Sequence, residues 1–235
     1  AGFIGSHFVS RLAAGEDFSG RVIVLDLLTY AGSRSNLDAA RERSAPGRLV
    51  FHKGDICDRE LTADLFRRYE IDAVAHFAAE THVDNAITDP SVFVRSNVEG
   101  TFSLLEAARS FWDGRTDVLF HQISTDEVFG SLGESGFFNE ASPYNPLNPY
   151  TATKAAADHL AGSYAHTYGF PLTISYSSNN YGPRQHREKL IPHMIGRMLS
   201  GETLPLYGDG LQVREWLYAE DHAEAIWRIM RSGKV

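Results

Sequence analysis

A single cysteine, Cys57, stands among 235 residues. That excludes an internal disulfide and suits a reducing cytosol. No apolar run approaches the roughly 18 residues that a membrane span requires, so no membrane association is expected. Basic residues are in deficit, with 22 Lys and Arg against 30 Asp and Glu and a net charge of −8. A nucleic-acid binder needs a basic face, so that class is excluded, and any anionic ligand must meet a local cationic pocket. The histidines lack metal-ligand spacing, and no Gly-x-x-x-x-Gly-Lys-Ser/Thr phosphate loop is present. No metal is therefore expected. Internal repeats, low-complexity tracts and a Pro/Gly/Ser-rich linker are missing too. There is no signal peptide either, although the chain opens in mid-motif.

What is present can build a sizeable core, since 43% of the residues are hydrophobic. Ala1-Gly2-Phe3-Ile4-Gly5-Ser6 reads as the tail of a glycine-rich turn opening a helix, Ile4 to Ala14. Such a helix start offers free N–H groups and a favourable dipole to a pyrophosphate. Arg21-Val22-Ile23-Val24-Leu25-Asp26 then reads as a buried strand ending in an acid, at the position where a dinucleotide fold places one to accept hydrogen bonds from a ribose. An acid there favours NAD over NADP, because it repels a 2′-phosphate. A helix-capping Asp is the plainer reading. Further strands are expected at 49–52, 73–79, 118–125, 172–178 and 216–218. Helices are expected over 59–69, 90–111, 150–168 and 219–232. Strands alternating with helical crossovers predict a parallel sheet covered on both faces.

Within that frame Asp55 either contacts an adenine or caps the helix that begins at Arg59. His76 lies inside an apolar run and reads as a packed core residue. Asn97 is either a solvated amide or a buried organiser. The stretch Ser124-Thr125-Asp126-Glu127-Val128-Phe129-Gly130 follows the apolar run 118–123. It places a hydroxyl and two carboxylates at a strand's carboxyl end, where catalytic groups gather in α/β sheets. A solvated acid pair is the alternative. Residues 131–149 form a long loop. Tyr150 and Lys154 share one helix face at i and i+4, where the lysine is expected to lower the phenol's pKa. Arg184, Arg187, Lys189, Arg197 and Arg214 make a locally basic span suited to a diphosphate.

These motifs, with Leu28-Thr29-Tyr30-Ala31-Gly32, His76 to Asp84, Ser178 to Pro183, Glu188 to Pro192 and Arg214 to Leu217, resemble the extended short-chain dehydrogenase/reductases. Within them the chain is similar to the nucleoside-diphosphate-glucose 4,6-dehydratases. The resemblance implies a Rossmann-type doubly wound parallel sheet over residues 1–178 and a smaller, incomplete substrate-binding region over 179–235. The family's first strand and C-terminal portion lie outside the chain. NAD would be held by Gly2, Phe3, Ile4, Gly5, Asp26, Leu27, Leu28, Thr29, Asp55, Ile56, Phe77, Ala78, Ala79, Glu80, Thr81, Ser96, Tyr150, Lys154 and Asn180. The nucleotide sugar would meet Thr81, Thr125, Asn179, Glu188, Lys189, Leu190, Pro205, Tyr207 and Arg214. Thr125, Asp126, Glu127, Tyr150 and Lys154 would be catalytic.

Departures from the family pattern are Thr81 for Ser, Ser96 for Thr, Phe129 for Tyr, Thr153 for Ser, Tyr176 for Arg and Arg187 for Pro. The implied reaction is NAD-mediated dehydration, with dTDP-glucose favoured over UDP-glucose and a 4-epimerase as the rival on the same fold. A cytoplasmic homodimer is implied as well. Its two helices, 90–111 and 150–168, would cover Leu104, Leu105, Ala155 and Ala156.

Overall fold

The computed structural model describes residues 1–232 apart from Glu16, Glu134 and Tyr207. The helices are α1 (Phe3–Ala14), α2 (Asp38–Arg43), α3 (Arg59–Tyr69), α4 (Val83–Thr88), α5 (Pro90–Phe93), α6 (Gly100–Phe111), α7 (Pro149–Tyr168), α8 (Leu190–Leu199) and α9 (Ala219–Ser232). The strands are β1 (Val22–Asp26), β2 (Leu49–Lys53), β3 (Ala73–His76), β4 (Leu119–Thr125), β5 (Leu172–Ser177), β6 (Asn179–Tyr181) and β7 (Trp216–Tyr218). They fall in three ladders: β1–β2, β3–β4–β5 and β6–β7. The β3–β4, β4–β5 and β6–β7 pairs are parallel. This is a Rossmann-like α/β fold. No described helix is long and apolar enough to cross a membrane.

Two compact units divide the chain. One comprises Ala1–Val24, Leu28–Val50 and Ser178–Trp227. In it α1 packs on α2 through buried Leu12, Leu37 and Ala40. Arg11 on α1 is hydrogen-bonded to Glu224 of α9 at 2.5 Å. The ring of His7 meets the Pro183 carbonyl at 2.9 Å. His222 of α9 pairs with Asn180 of β6 at 2.7 Å.

The other unit comprises Leu25–Leu27, Phe51–Ser177 and Arg228–Val235. Its centre is β4, flanked by β3 and β5, with Phe120 opposite Leu172 and Thr125 opposite Ser177. All of β4 except Thr125 is buried, as its continuous apolar run requires when both faces are covered. Phe66, Leu105, Trp112, Phe120, Tyr164 and Phe170 form the main core.

The stretch 90–111 differs from the single helix expected. It breaks into α5, a π-helical turn over Val94–Glu99 and α6. The widened turn carries Asn97, which is buried and turned toward the sheet's carboxyl end. Leu104, Leu105 and Ala155 are already buried within the chain, so they need no partner to cover them, whereas Ala156 is exposed. The exposed apolar side chains in this region are Ile87, Val92 and Val94.

Candidate active site

Helix α7 is started by its own sequence. The Asn148 side chain accepts from the Thr151 N–H at 2.9 Å, and the Thr151 hydroxyl accepts from the Asn148 N–H at 3.2 Å. Pro149 occupies the first turn. A reciprocal cap of this kind is worth about 1 kcal/mol, and it fixes the helix one residue before Tyr150. Tyr150 and Lys154 are both buried. The Lys154 ammonium donates to the Ile123 carbonyl on β4 at 2.7 Å.

Opposite α7, β4 ends at Thr125 and the chain turns through a short 3₁₀ helix, Asp126–Phe129. The Thr125 hydroxyl accepts from the Glu127 N–H at 3.3 Å and donates to Asp126 at 3.4 Å. Gly130 closes the turn at φ 89°, where an added Cβ would lie 2.8 Å from the Asn145 carbonyl oxygen. That close approach, with the left-handed φ, requires glycine. Val128 and Phe129 pin the turn against Ala155 of α7.

Electrostatics bring these groups together. The Tyr150 phenol is pushed well above its ordinary value, chiefly by burial and then by the Glu127 carboxylate. A hydrogen bond from Thr125 opposes this, while Asp158 and Asp126 add to the rise. The sequence-based expectation that the phenol is lowered is thus reversed: burial and three carboxylates raise it, against the Thr125 hydrogen bond. Lys154 itself is lowered by burial, and Asp158 opposes that.

Asp158 was missed by sequence reasoning. It lies one helical turn beyond Lys154, so Tyr150, Lys154 and Asp158 occupy one face of α7 at intervals of four. That spacing was available in the sequence; burial of the carboxylate was not. Asn97 is the buried organiser: its Oδ1 accepts from the Glu80 N–H at 2.8 Å, and its Nδ2 donates to the Glu80 carbonyl at 3.0 Å and to Thr153 Oγ1 at 2.9 Å. His76 is a packed core residue, hydrogen-bonded to Thr101 at 2.9 Å, and burial depresses it to about 3.

The dinucleotide positions fit NAD in each unit taken by itself. Gly2 caps α1 with no side chain, and a Cβ there would enter open space, so the first turn's N–H groups are free to take an anion. Phe3, Ile4 and Gly5 form that turn. Leu28 is held at φ 56°, a left-handed conformation that costs a β-carbon residue on the order of 1–2 kcal/mol. Thr29 beside it is exposed.

In the other unit Asp26 closes β1, its carbonyl accepting from the Gly54 N–H at 3.1 Å, and Leu27 follows it, exposed. Asp55 does not cap α3; Asp58 does, by accepting from the Leu61 N–H at 3.0 Å. The Asp55 carboxylate instead takes the Cys57 N–H and the Arg95 guanidinium, each at 2.9 Å. Ile56 is buried; Phe77, Ala78, Ala79, Glu80 and Ser96 are half-buried and Thr81 exposed.

Of the expected sugar contacts, Asn179 lies on β6, next to the expected NAD contact Asn180, and Lys189 is the N-cap of α8, with Leu190 its first residue. Glu188 accepts from the Tyr30 hydroxyl at 3.1 Å. Pro205 is half-buried; Arg214 is exposed and donates to the Val213 carbonyl. Tyr207 lies outside the described residues. Among the described residues no group of His, Cys, Asp and Glu could hold a metal.

Comparison with known proteins agrees with this geometry. The family model described as GDP-mannose 4,6 dehydratase matches residues 1–235. A dTDP-glucose 4,6-dehydratase of Neisseria gonorrhoeae is 48% identical, over all of this chain and 68% of its own length. One from Mycolicibacterium smegmatis is 50% identical over the same shares. The crystal structure of a dTDP-glucose 4,6-dehydratase from Streptomyces venezuelae, with NAD bound, superposes with a TM-score of 0.92. It shows 47% identity and covers the whole chain and 71% of its own. The chain belongs to the nucleotide-sugar 4,6-dehydratase family of the extended short-chain dehydrogenase/reductases.

Proposed function

We propose that this chain carries the catalytic portion of an NAD-dependent hydro-lyase that converts dTDP-glucose to its 4-keto-6-deoxy product. The observation that carries the reading is the Thr125-Asp126-Glu127 turn set against Tyr150. A 4-epimerase needs a tyrosine, a lysine and NAD, but no acid–base pair at that strand end. UDP-glucose remains the competing substrate, since the motif is compatible with either base.

NAD, when bound, supplies a hydride acceptor for C4 and later a hydride donor for C6. The rest belongs to the chain. Gly2 to Gly5, Asp26 to Thr29, Asp55, Ile56, Phe77 to Thr81, Ser96, Asn180, Tyr150 and Lys154 hold the cofactor. Thr81, Thr125, Asn179, Glu188 to Leu190, Pro205, Tyr207 and Arg214 hold the nucleotide sugar. Residues 1–178 form the dinucleotide-binding part and 179–235 contribute to the sugar-binding part.

Tyr150 takes the proton from the C4 hydroxyl as that carbon is oxidised. The new ketone acidifies the C5 proton, which Glu127 removes. Asp126 donates a proton to the C6 hydroxyl, which leaves as water. Adjacent carboxyls suit this division, because like charges push their pKa values apart and keep one protonated. Lys154 is the cation available to balance the phenolate.

The protein acts as a cytoplasmic homodimer in this reading. The exposed Ile87, Val92 and Val94 support a pairing through the 90–111 and 150–168 helices. Sedimentation at micromolar concentration should give a dimer. Function is tested by incubating the intact protein with dTDP-, UDP-, CDP- and GDP-glucose and scoring each for a 4-keto product. A higher kcat/KM with UDP-glucose reverses the substrate choice, and no 4-keto product from any of them ends the dehydratase reading.

A further inference from the structure

We propose that Asp158 is a positioning residue for Lys154: its buried carboxylate, tied to β4 by Ser124 and Gln122, is the counter-charge that keeps the lysine an ammonium. The proposal rests on the dehydratase reading only for its effect on turnover.

Asp158 is 2% exposed. The Ser124 hydroxyl donates to its Oδ2 at 2.5 Å, and the Gln122 amide donates to its Oδ1 at 3.4 Å. Both partners are neutral, and a buried carboxylate needs a cation as well. Lys154, one turn earlier on the same helix face, is that cation. Burial drives Asp158 up and Lys154 down, each toward its neutral form; Lys154 is the largest of the influences opposing the rise of Asp158, and Asp158 opposes the fall of Lys154.

Asp158 accepts from both Ser124 and Gln122; an asparagine would keep one of these acceptors and lose the other. What the acid adds is therefore an acceptor for Gln122 and a charge, and the titration of Lys154 reads the charge.

Other titratable groups face the pair. Tyr150 and His159 lie on α7, Asp126 and Glu127 on the 3₁₀ turn, Tyr144 in the loop, Tyr176 on β5 and His76 on β3. Removing the Asp158 charge acts on two of them in one direction. Lys154 loses its proton at lower pH. Tyr150, relieved of a negative neighbour, also loses its proton at lower pH. Both limbs of the pH–rate profile then move to acid.

The first test is the kcat/KM profile of the intact protein, wild type against Asp158→Asn and Asp158→Glu. Asp158→Asn should displace the bell to lower pH by about one unit, the scale of one nearby opposite charge. Asp158→Glu, which keeps the charge, should restore its position. A merely structural role lowers the amplitude without moving the bell, and that outcome overturns the proposal. The second test needs no turnover. In protein labelled at the lysine ε-carbon, the Lys154 signal is assigned by its loss in Lys154→Arg. Its titration midpoint should fall by about one pH unit in Asp158→Asn, and an unchanged midpoint overturns the proposal. If Asp158→Asn does not fold, Asp158→Ser replaces it. It too removes the charge at position 158, so the Lys154 midpoint should fall in the same way; no fall again overturns the proposal. Wild-type protein inactive on every nucleotide sugar sinks the functional reading, while the lysine titration still decides the role of Asp158.

Discussion

Asn97 clamps the peptide of Glu80 on both sides, accepting its N–H at 2.8 Å and donating to its carbonyl at 3.0 Å. A third hydrogen bond runs to Thr153 Oγ1 on α7. One buried amide thus fixes the chain just beyond β3 to the helix that carries Tyr150 and Lys154. It does so from a π-helical turn, a distortion common at functional sites. Asn97→Ala removes the Asn97 hydrogen bonds from two part-buried backbone groups, each worth about 0.5–1.5 kcal/mol. The variant should melt several degrees below wild type. Asn97→Asp keeps the acceptor but loses both donors and should melt between the two. Calorimetry on the three proteins checks the order.

His76 makes stability depend on acid. Burial lowers it to about 3 from an ordinary 6.5, so the folded chain holds the ring neutral while the unfolded chain protonates it. The contribution is fully present above pH 6.5 and is lost as pH falls from 6.5 toward 3. The unfolded state binds the extra proton across that window, so the loss is at most about 1.4 kcal/mol per pH unit. His76→Gln, which can still hydrogen-bond Thr101, should flatten the fall in melting temperature between pH 6.5 and 4. An unchanged slope would place the acid sensitivity elsewhere.

We propose that cofactor choice is set at Asp26. A carboxylate there accepts from the two ribose hydroxyls of an adenosine but repels a 2′-phosphate. Denaturing the purified protein should release NAD, with NADP a minor species. Asp26→Asn should narrow the preference by lowering NAD affinity and removing the repulsion, as titration of the two dinucleotides would record. NADP as the main species from wild type would contradict the assignment.

Much of this was legible because it is local. The buried run before Thr125 announces β4, and the interval of four between Tyr150 and Lys154 survives as one face of α7. Helix α3 keeps the bounds its pattern implied, from Arg59 to Tyr69. The break within 90–111 was not legible: the apolar period runs on, while the widened turn accompanies Asn97 contacts to Glu80 and Thr153, distant in sequence. The sign of the Tyr150 shift was misread for a related reason. Spacing reports that a lysine shares the helix face. It does not report that the phenol is buried or that the Glu127, Asp158 and Asp126 charges raise it. The capping role read at Asp55 belongs to Asp58, because the chain makes one more turn before α3 begins.

The division of labour at Asp126 and Glu127 gives the sharpest test. Oxidation at C4 needs a base at the hydroxyl; elimination needs a second base at C5 and an acid at C6. Glu127 is also the strongest of the charges holding the Tyr150 phenol up, second only to burial. Glu127→Gln removes that charge, so the first proton abstraction should proceed at least as readily as in wild type. The reaction should then stop, with NADH absorbance developed and no deuterium entering C5 from D₂O. Asp126→Asn should instead permit C5 exchange but slow the loss of water. Each variant should lose on the order of 10²–10⁴-fold in overall turnover, the usual contribution of a positioned acid or base. Tyr150→Phe should block the reaction before any NADH appears. Single-turnover experiments in D₂O, following absorbance at 340 nm and product mass together, separate the three. Deuterium incorporation at the wild-type rate in Glu127→Gln would remove Glu127 as the C5 base and leave Asp126 as the only carboxylate on that turn able to serve.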